Sequence, residues 1–109
     1  MTNPFLKSDV KLPPIKSTLE QRFDDFHSAN PHVYHKLVRM TRDLMDRGHK
    51  KIGIAMLFEV LRWQHMMDTD DPYSEFKLNN DYRAYYARLI MDIHPEFQGI
   101  FNVRELKAV

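Results

Sequence analysis

Apolar positions recur along this chain at helical rather than strand spacing. Val33, Leu37, Met40 and Leu44 repeat every three or four residues, with Tyr34, Val38 and Met45 beside them. That period predicts a helix over about 31–47. Leu19, Phe23 and Phe26 share a face with Arg22 and predict an earlier helix over 18–29. Ser17 and Glu20 stand at capping-box spacing before it. Asn30-Pro31 separates the two, with Asn30 suited to an N-cap and Pro31 to the first helical position. Gly48 suits a left-handed cap that ends the second helix. A third helix, about 54–67, has Ile54, Leu57, Phe58, Leu61 and His65 as its buried stripe, broadened by Trp63 and Met66. It is apolar nearly all round, which predicts a central position.

Asp68-Thr69-Asp70-Asp71-Pro72 reads as a turn, and Glu75-Phe76-Lys77-Leu78 as a short extended piece. Asn79 or Asn80 caps a fourth helix, about 80–93, whose inward side is Ala84, Ala87, Leu89 or Ile90, and Met91. His94-Pro95 ends it. One helical turn over 95–99 stops at Gly99. Residues 100–106 alternate loosely, as a strand or wing would, and 49–53 is a connector with some strand character. Residues 1–16 hold Pro4, Pro13 and Pro14, which exclude a helix there, and form an N-terminal arm before a single helical domain, 17–109. The expected fold is mainly α. It is a four-helix domain of helix-turn-helix or winged-helix type with a short C-terminal strand or wing. Roughly a dozen residues separate the third and fourth helices, far more than the 3–4 of a tight helix-turn-helix, so only a looser variant fits.

Composition narrows the picture. At 109 residues there is room for one core, and 43% hydrophobic with 28% charged residues is typical of a folded domain. The absence of cysteine removes disulfides, thiolate chemistry and cysteine-bound zinc. No apolar run approaches the roughly 20 residues of a membrane span. The N-terminus lacks a signal-peptide pattern, so a cytoplasmic location is expected. The net charge of +1 conceals a gradient: ten Lys/Arg and six Asp/Glu in 1–51, against six and nine in 52–109. The positive excess gathers in 32–51 and the negative one around Asp68, Asp70, Asp71 and Glu75.

The fourth helix carries the residues most suggestive of function. Asn79, Asn80, Tyr82, Arg83, Tyr86 and Lys77 lie at or near its N-terminal half, and Tyr82, Arg83 and Tyr86 share a face. Arg grips guanine bidentately, Asn does the same with adenine, and Tyr hydroxyls hold phosphates. Recognition helices use their N-terminal residues in this way. Arg47, His49, Lys50 and Lys51 would then contact the backbone of double-stranded DNA. A homodimer fits such a reader, because paired half-sites double its contacts. The competing reading of the same residues is packing. In it the tyrosines are half-buried, Arg83 and Arg88 pair with Asp81, Asp92 or Glu96, and the asparagines only cap.

Phe26-His27, Asn30-Pro31-His32-Val33-Tyr34, Leu61-Arg62-Trp63, Phe76-Lys77-Leu78-Asn79-Asn80, Tyr82-Arg83 and Tyr86-Ala87-Arg88-Leu89-Ile90 form a pattern. It resembles a family of small uncharacterised proteins of bacteria and their phages, across about residues 22–106. The resemblance implies a prokaryotic or phage setting and no activity.

Catalysis finds no foothold. No His-Glu-x-x-His run is present, and His32 and His35 lack a third ligand placed by spacing. The acidic run after Met67 has Pro72 where a calcium loop needs a ligand. No serine sits in a nucleophile elbow, and no glycine-rich phosphate loop occurs. The expectation is therefore a non-enzymatic DNA-binding module, regulatory in a prokaryote or phage, with no cofactor, no metal and no membrane. The alternative is a protein-interaction module, such as a phage inhibitor of a host factor, without nucleic-acid contact. It is motivated by the low net charge, the acidic 68–75 loop, and seven Met plus aromatics that suit an adaptable patch.

Overall fold

The computed structural model describes residues 18–69 and 78–102. Four helices appear in the order α1 (Thr18–Ala29), α2 (Pro31–Asp46), α3 (Ile54–Asp68) and α4 (Arg83–Ile93). Single 3-10 turns, Asn80–Tyr82 and Pro95–Phe97, bracket α4. The arm 1–16, the capping residue Ser17, most of the acidic turn, Lys77 and the end of the expected wing lie outside the described residues. None of the helices described is long and apolar enough to cross a membrane.

Local signals act largely as the sequence suggests. Pro31 occupies the first turn of α2. Gly48 (φ 98°) and Gly99 (φ 79°) take the left-handed conformation that a side chain with a Cβ resists. Asn30 stands at the N-cap of α2, but its side chain does not cap that helix. Its amide instead donates to the Phe26 carbonyl at 3.0 Å, closing the end of α1. Thr41, fully buried, satisfies its hydroxyl by donating to the Leu37 carbonyl at 2.7 Å.

The core is built around α4, which packs against α2, α3 and both 3-10 turns. Tyr86, Ala87 and Ile90 are wholly buried there, and Ala84, Leu89 and Met91 are only partly so. From α1, Phe23 reaches Tyr82, Tyr85 and Tyr86, with ring centroids 5.8, 5.1 and 4.9 Å away. Val33 and Leu37 enter from α2, and Leu57, Phe58 and Leu61 from α3. Ile52 and Phe101 close the far end through one parallel bridge, with the Ile52 amide donating to the Ile100 carbonyl at 2.9 Å. No strand is present among the described residues, so residues 100–102 contribute a single bridge where a strand or wing was expected.

The expected placements of α3 and α4 are thus exchanged. Trp63 and Met66, expected to broaden the buried stripe of α3, are 63% and 69% exposed. The central helix is α4, because its Tyr82–Tyr86–Ile90 ridge, at steps of four residues, faces three other parts of the chain.

Candidate functional site

The residues singled out for nucleic-acid contact fall into two groups. The first surrounds the start of α4. Asn79 caps the 3-10 turn, its side chain accepting from the Asp81 amide at 2.8 Å. Asn80 is exposed, but its side-chain oxygen receives an Arg62 N–H. Its carbonyl accepts from Arg83 Nε at 2.9 Å, so that guanidinium folds back on its own helix start. Tyr82 is 7% exposed and its ring lies against Phe23 and Phe26. Tyr86 is wholly buried between Phe23, His27 and Phe58. Burial drives its phenol well above the ordinary tyrosine range, with the neighbouring Tyr82 adding to the effect.

The face shared by Tyr82 and Tyr86 is therefore a core face, and a duplex could not reach the Tyr86 hydroxyl without opening the domain. Aromatic side chains bury 150–250 Å² each, and with Phe23 opposite, that gain outweighs exposure of the hydroxyls.

The second group is the loop after α2. Arg47, His49, Lys50 and Lys51 are all exposed. Lys51 Nζ donates to the Gly99 carbonyl at 2.7 Å, which ties this loop to the turn after α4. His49 and Lys50 line a shallow depression with Met45, Gly48, Gln98, Ile100 and Glu96. The carboxylate of Glu96 accepts from Arg42 at 2.9 Å. The carboxyl is held below the usual range by its own backbone hydrogen bond and then by Arg42. That acidic neighbour weakens the attraction of the depression for phosphate.

The two groups stand at opposite ends of α4, whose 11 residues span about 16 Å. One set gathers at the start of that helix, and in the other Lys51 bonds to, and His49 and Lys50 lie beside, the turn that follows its end.

Arg62 is a residue the sequence reading did not single out. It joins three places: Nη1 donates to Glu59 at 2.8 Å, and Nη2 to the Leu78 carbonyl at 2.6 Å and to Asn80. It thereby fixes the entry to α4 against α3.

The outer face of α3 was also missed as a surface. Met56, Val60, Trp63, Met66 and Met67 are 51%, 36%, 63%, 69% and 65% exposed. The signal was in the sequence as spacing: positions 56, 60, 63 and 67 recur at steps of four, three and four, a second apolar stripe on a helix already supplied with one.

Among the described residues no group of three His, Asp or Glu side chains is placed to hold a metal ion. No protein-family model, curated protein or solved structure matches the chain.

Proposed function

We propose that this protein is a protein-interaction module whose docking surface is the outer face of α3. The observation that carries the reading is the exposed apolar stripe with Trp63 at its centre. Together the five side chains leave on the order of 500 Å² of apolar surface in water, at the upper end of what a monomer ordinarily shows. Covering it makes on the order of 10 kcal/mol of hydrophobic free energy available, before the costs of association. Trp and Met are enriched at interface centres, and thioethers adapt to the surface they meet. The exposed polar residues Glu59 and Gln64 flank it.

A DNA-binding role draws support, among the described residues, from the exposed loop of Arg47, His49, Lys50 and Lys51. That loop offers phosphate contacts without base readers. Regulation in a prokaryotic or phage setting stays attached to that weaker reading.

A photo-crosslinking residue at position 63, with position 46 as an exposed control, tests the proposal. Discrete protein adducts from position 63 and none from 46 are expected. The opposite outcome has two parts. One is no adduct from 63. The other is a salt-sensitive mobility shift with random-sequence duplex that is lost when Arg47, Lys50 and Lys51 become glutamates.

A further inference from the structure

We infer that the partner on the α3 face is a second copy of this chain, packed antiparallel about a two-fold axis that passes between Val60 and Trp63. This pairing rests on the reading of that face as a docking surface and adds its occupant.

Met56, Val60, Trp63 and Met67 follow one another at four, three and four residues. That alternation is the seam of a two-helix coiled coil, and it keeps the four side chains within an arc of about 60°. Leu57, Phe58 and Leu61 occupy the other side of the helix and are committed to the core. The seam is thus additional to what folding of the chain requires.

The order of residues along the seam is symmetrical. Met stands at each end, and one small and one large apolar residue lie between. A two-fold axis across the helix brings Met56 onto Met67 of the other copy, and Val60 onto Trp63. Each layer then has a complementary volume, with the indole over the short valine and flexible thioethers closing both ends. A parallel pair would set Trp63 on Trp63 and Val60 on Val60, overfilling one layer and leaving the next void.

An isologous interface must be self-complementary, and the antiparallel register makes this face so. The four seam positions carry no charge, and Glu59 beside them is already paired with Arg62 at 2.8 Å. No unpaired charge is therefore carried into the contact. Antiparallel helices also oppose their dipoles favourably. Two such faces, with Met66 covered at the flank, bury at most roughly 1,000 Å² between them, the lower limit for a specific interface, so the dimer is expected to dissociate in the micromolar range.

The chain has no cysteine and one tryptophan, which makes the test direct. Full-length Met56→Cys and Met67→Cys variants are oxidised mildly, alone and as an equimolar mixture. The mixture should give a disulfide-linked dimer about tenfold in excess of either variant alone, because the register sets 56 against 67. Sedimentation equilibrium of the unmodified chain should show a reversible dimer, and Val60→Glu should abolish it with an unchanged helical circular dichroism signal. Trp63 emission should shift to the red on dilution.

Equal linkage of each variant with itself would overturn the antiparallel register. A monomer that still forms a position-63 adduct with a different protein would overturn the occupant and leave the docking surface standing. A monomer with blue-shifted Trp63 emission at every concentration would mean that another part of the same chain covers the face, and both would fall.

Discussion

Replacing Tyr86 with phenylalanine should make the protein more stable. The Tyr86 hydroxyl is buried and has no hydrogen-bond partner among the described residues. Burying a hydroxyl without a partner costs about 1–3 kcal/mol. The ring itself is held independently of that oxygen. Its edge-on contacts to Phe23, His27 and Phe58, at 4.9, 5.7 and 6.1 Å between centroids, survive the substitution. Removing one oxygen leaves a void of about 10–15 Å³, worth about 0.3 kcal/mol at the usual cavity cost. The net expectation is a gain of about 1 kcal/mol, or about 4–8 °C in Tm for a domain of this size. Urea unfolding followed by far-UV circular dichroism reads the change in midpoint at constant slope. A loss of 1 kcal/mol or more in Tyr86→Phe would refute the reasoning, since it would mean that the hydroxyl is bonded. The same variant bears on DNA binding: a phosphate-contacting hydroxyl would lose affinity on removal and leave stability unchanged.

Other substitutions probe other joints of the fold. Phe23→Ala removes the ring that meets three tyrosines of the α4 region and should cost about 3–5 kcal/mol in urea unfolding. Arg62→Ala strips the Leu78 carbonyl and Asn80 of their shared donor and should cost about 1–3 kcal/mol, with faster amide exchange at Asp81 and Tyr82 as the local sign. Glu96 has its pKa lowered by folding, so its contribution is fully present above the ordinary glutamate range and disappears as pH falls through the depressed folded value. A urea midpoint measured against pH should therefore fall more steeply below about pH 5 in the unmodified protein than in Glu96→Gln, and parallel curves would mean that folding does not depress this carboxyl.

The helices were legible because their signals are local. A proline in a first turn, a glycine with positive φ after a last turn, and apolar steps of three and four act within a few residues of where they stand. The direction each helix faces depends on partners distant in sequence, and there the reading divided. The Val33–Leu37 face of α2 was legible because its opposite side is charged. The α3 helix offers apolar residues on both sides, and periodicity alone cannot distinguish a face that meets the core from one that meets water. Tyrosine added the second ambiguity, since one side chain carries both a large ring and a polar tip. Read by its hydroxyls, the Tyr82–Tyr86 pair is a recognition surface; read by its rings, with Ile90 one step further on, it is a core ridge. Phe23 decides between them, and it lies about sixty residues earlier. Asn30 shows the same limit in small: its position was legible, but the choice of which helix end it serves depends on where the Phe26 carbonyl points.

The exposure of α3 and the burial of α4 follow from one choice of packing. Packed against α2, α3 and two 3-10 turns, α4 buries Tyr86, Ala87 and Ile90, and the polar groups at its start bond to one another: Arg83 to the Asn80 carbonyl, Asn79 to the Asp81 amide. Enclosing α4 takes only one face of α3, through Leu57, Phe58 and Leu61, so the apolar residues on the other face contribute nothing to that enclosure. Selection for folding alone would tolerate polar residues at 56, 60, 63 and 67, where surface substitutions typically shift stability by no more than about 0.5 kcal/mol. A tryptophan and two methionines held there at seam spacing are therefore better explained by something that binds them than by the fold they sit on.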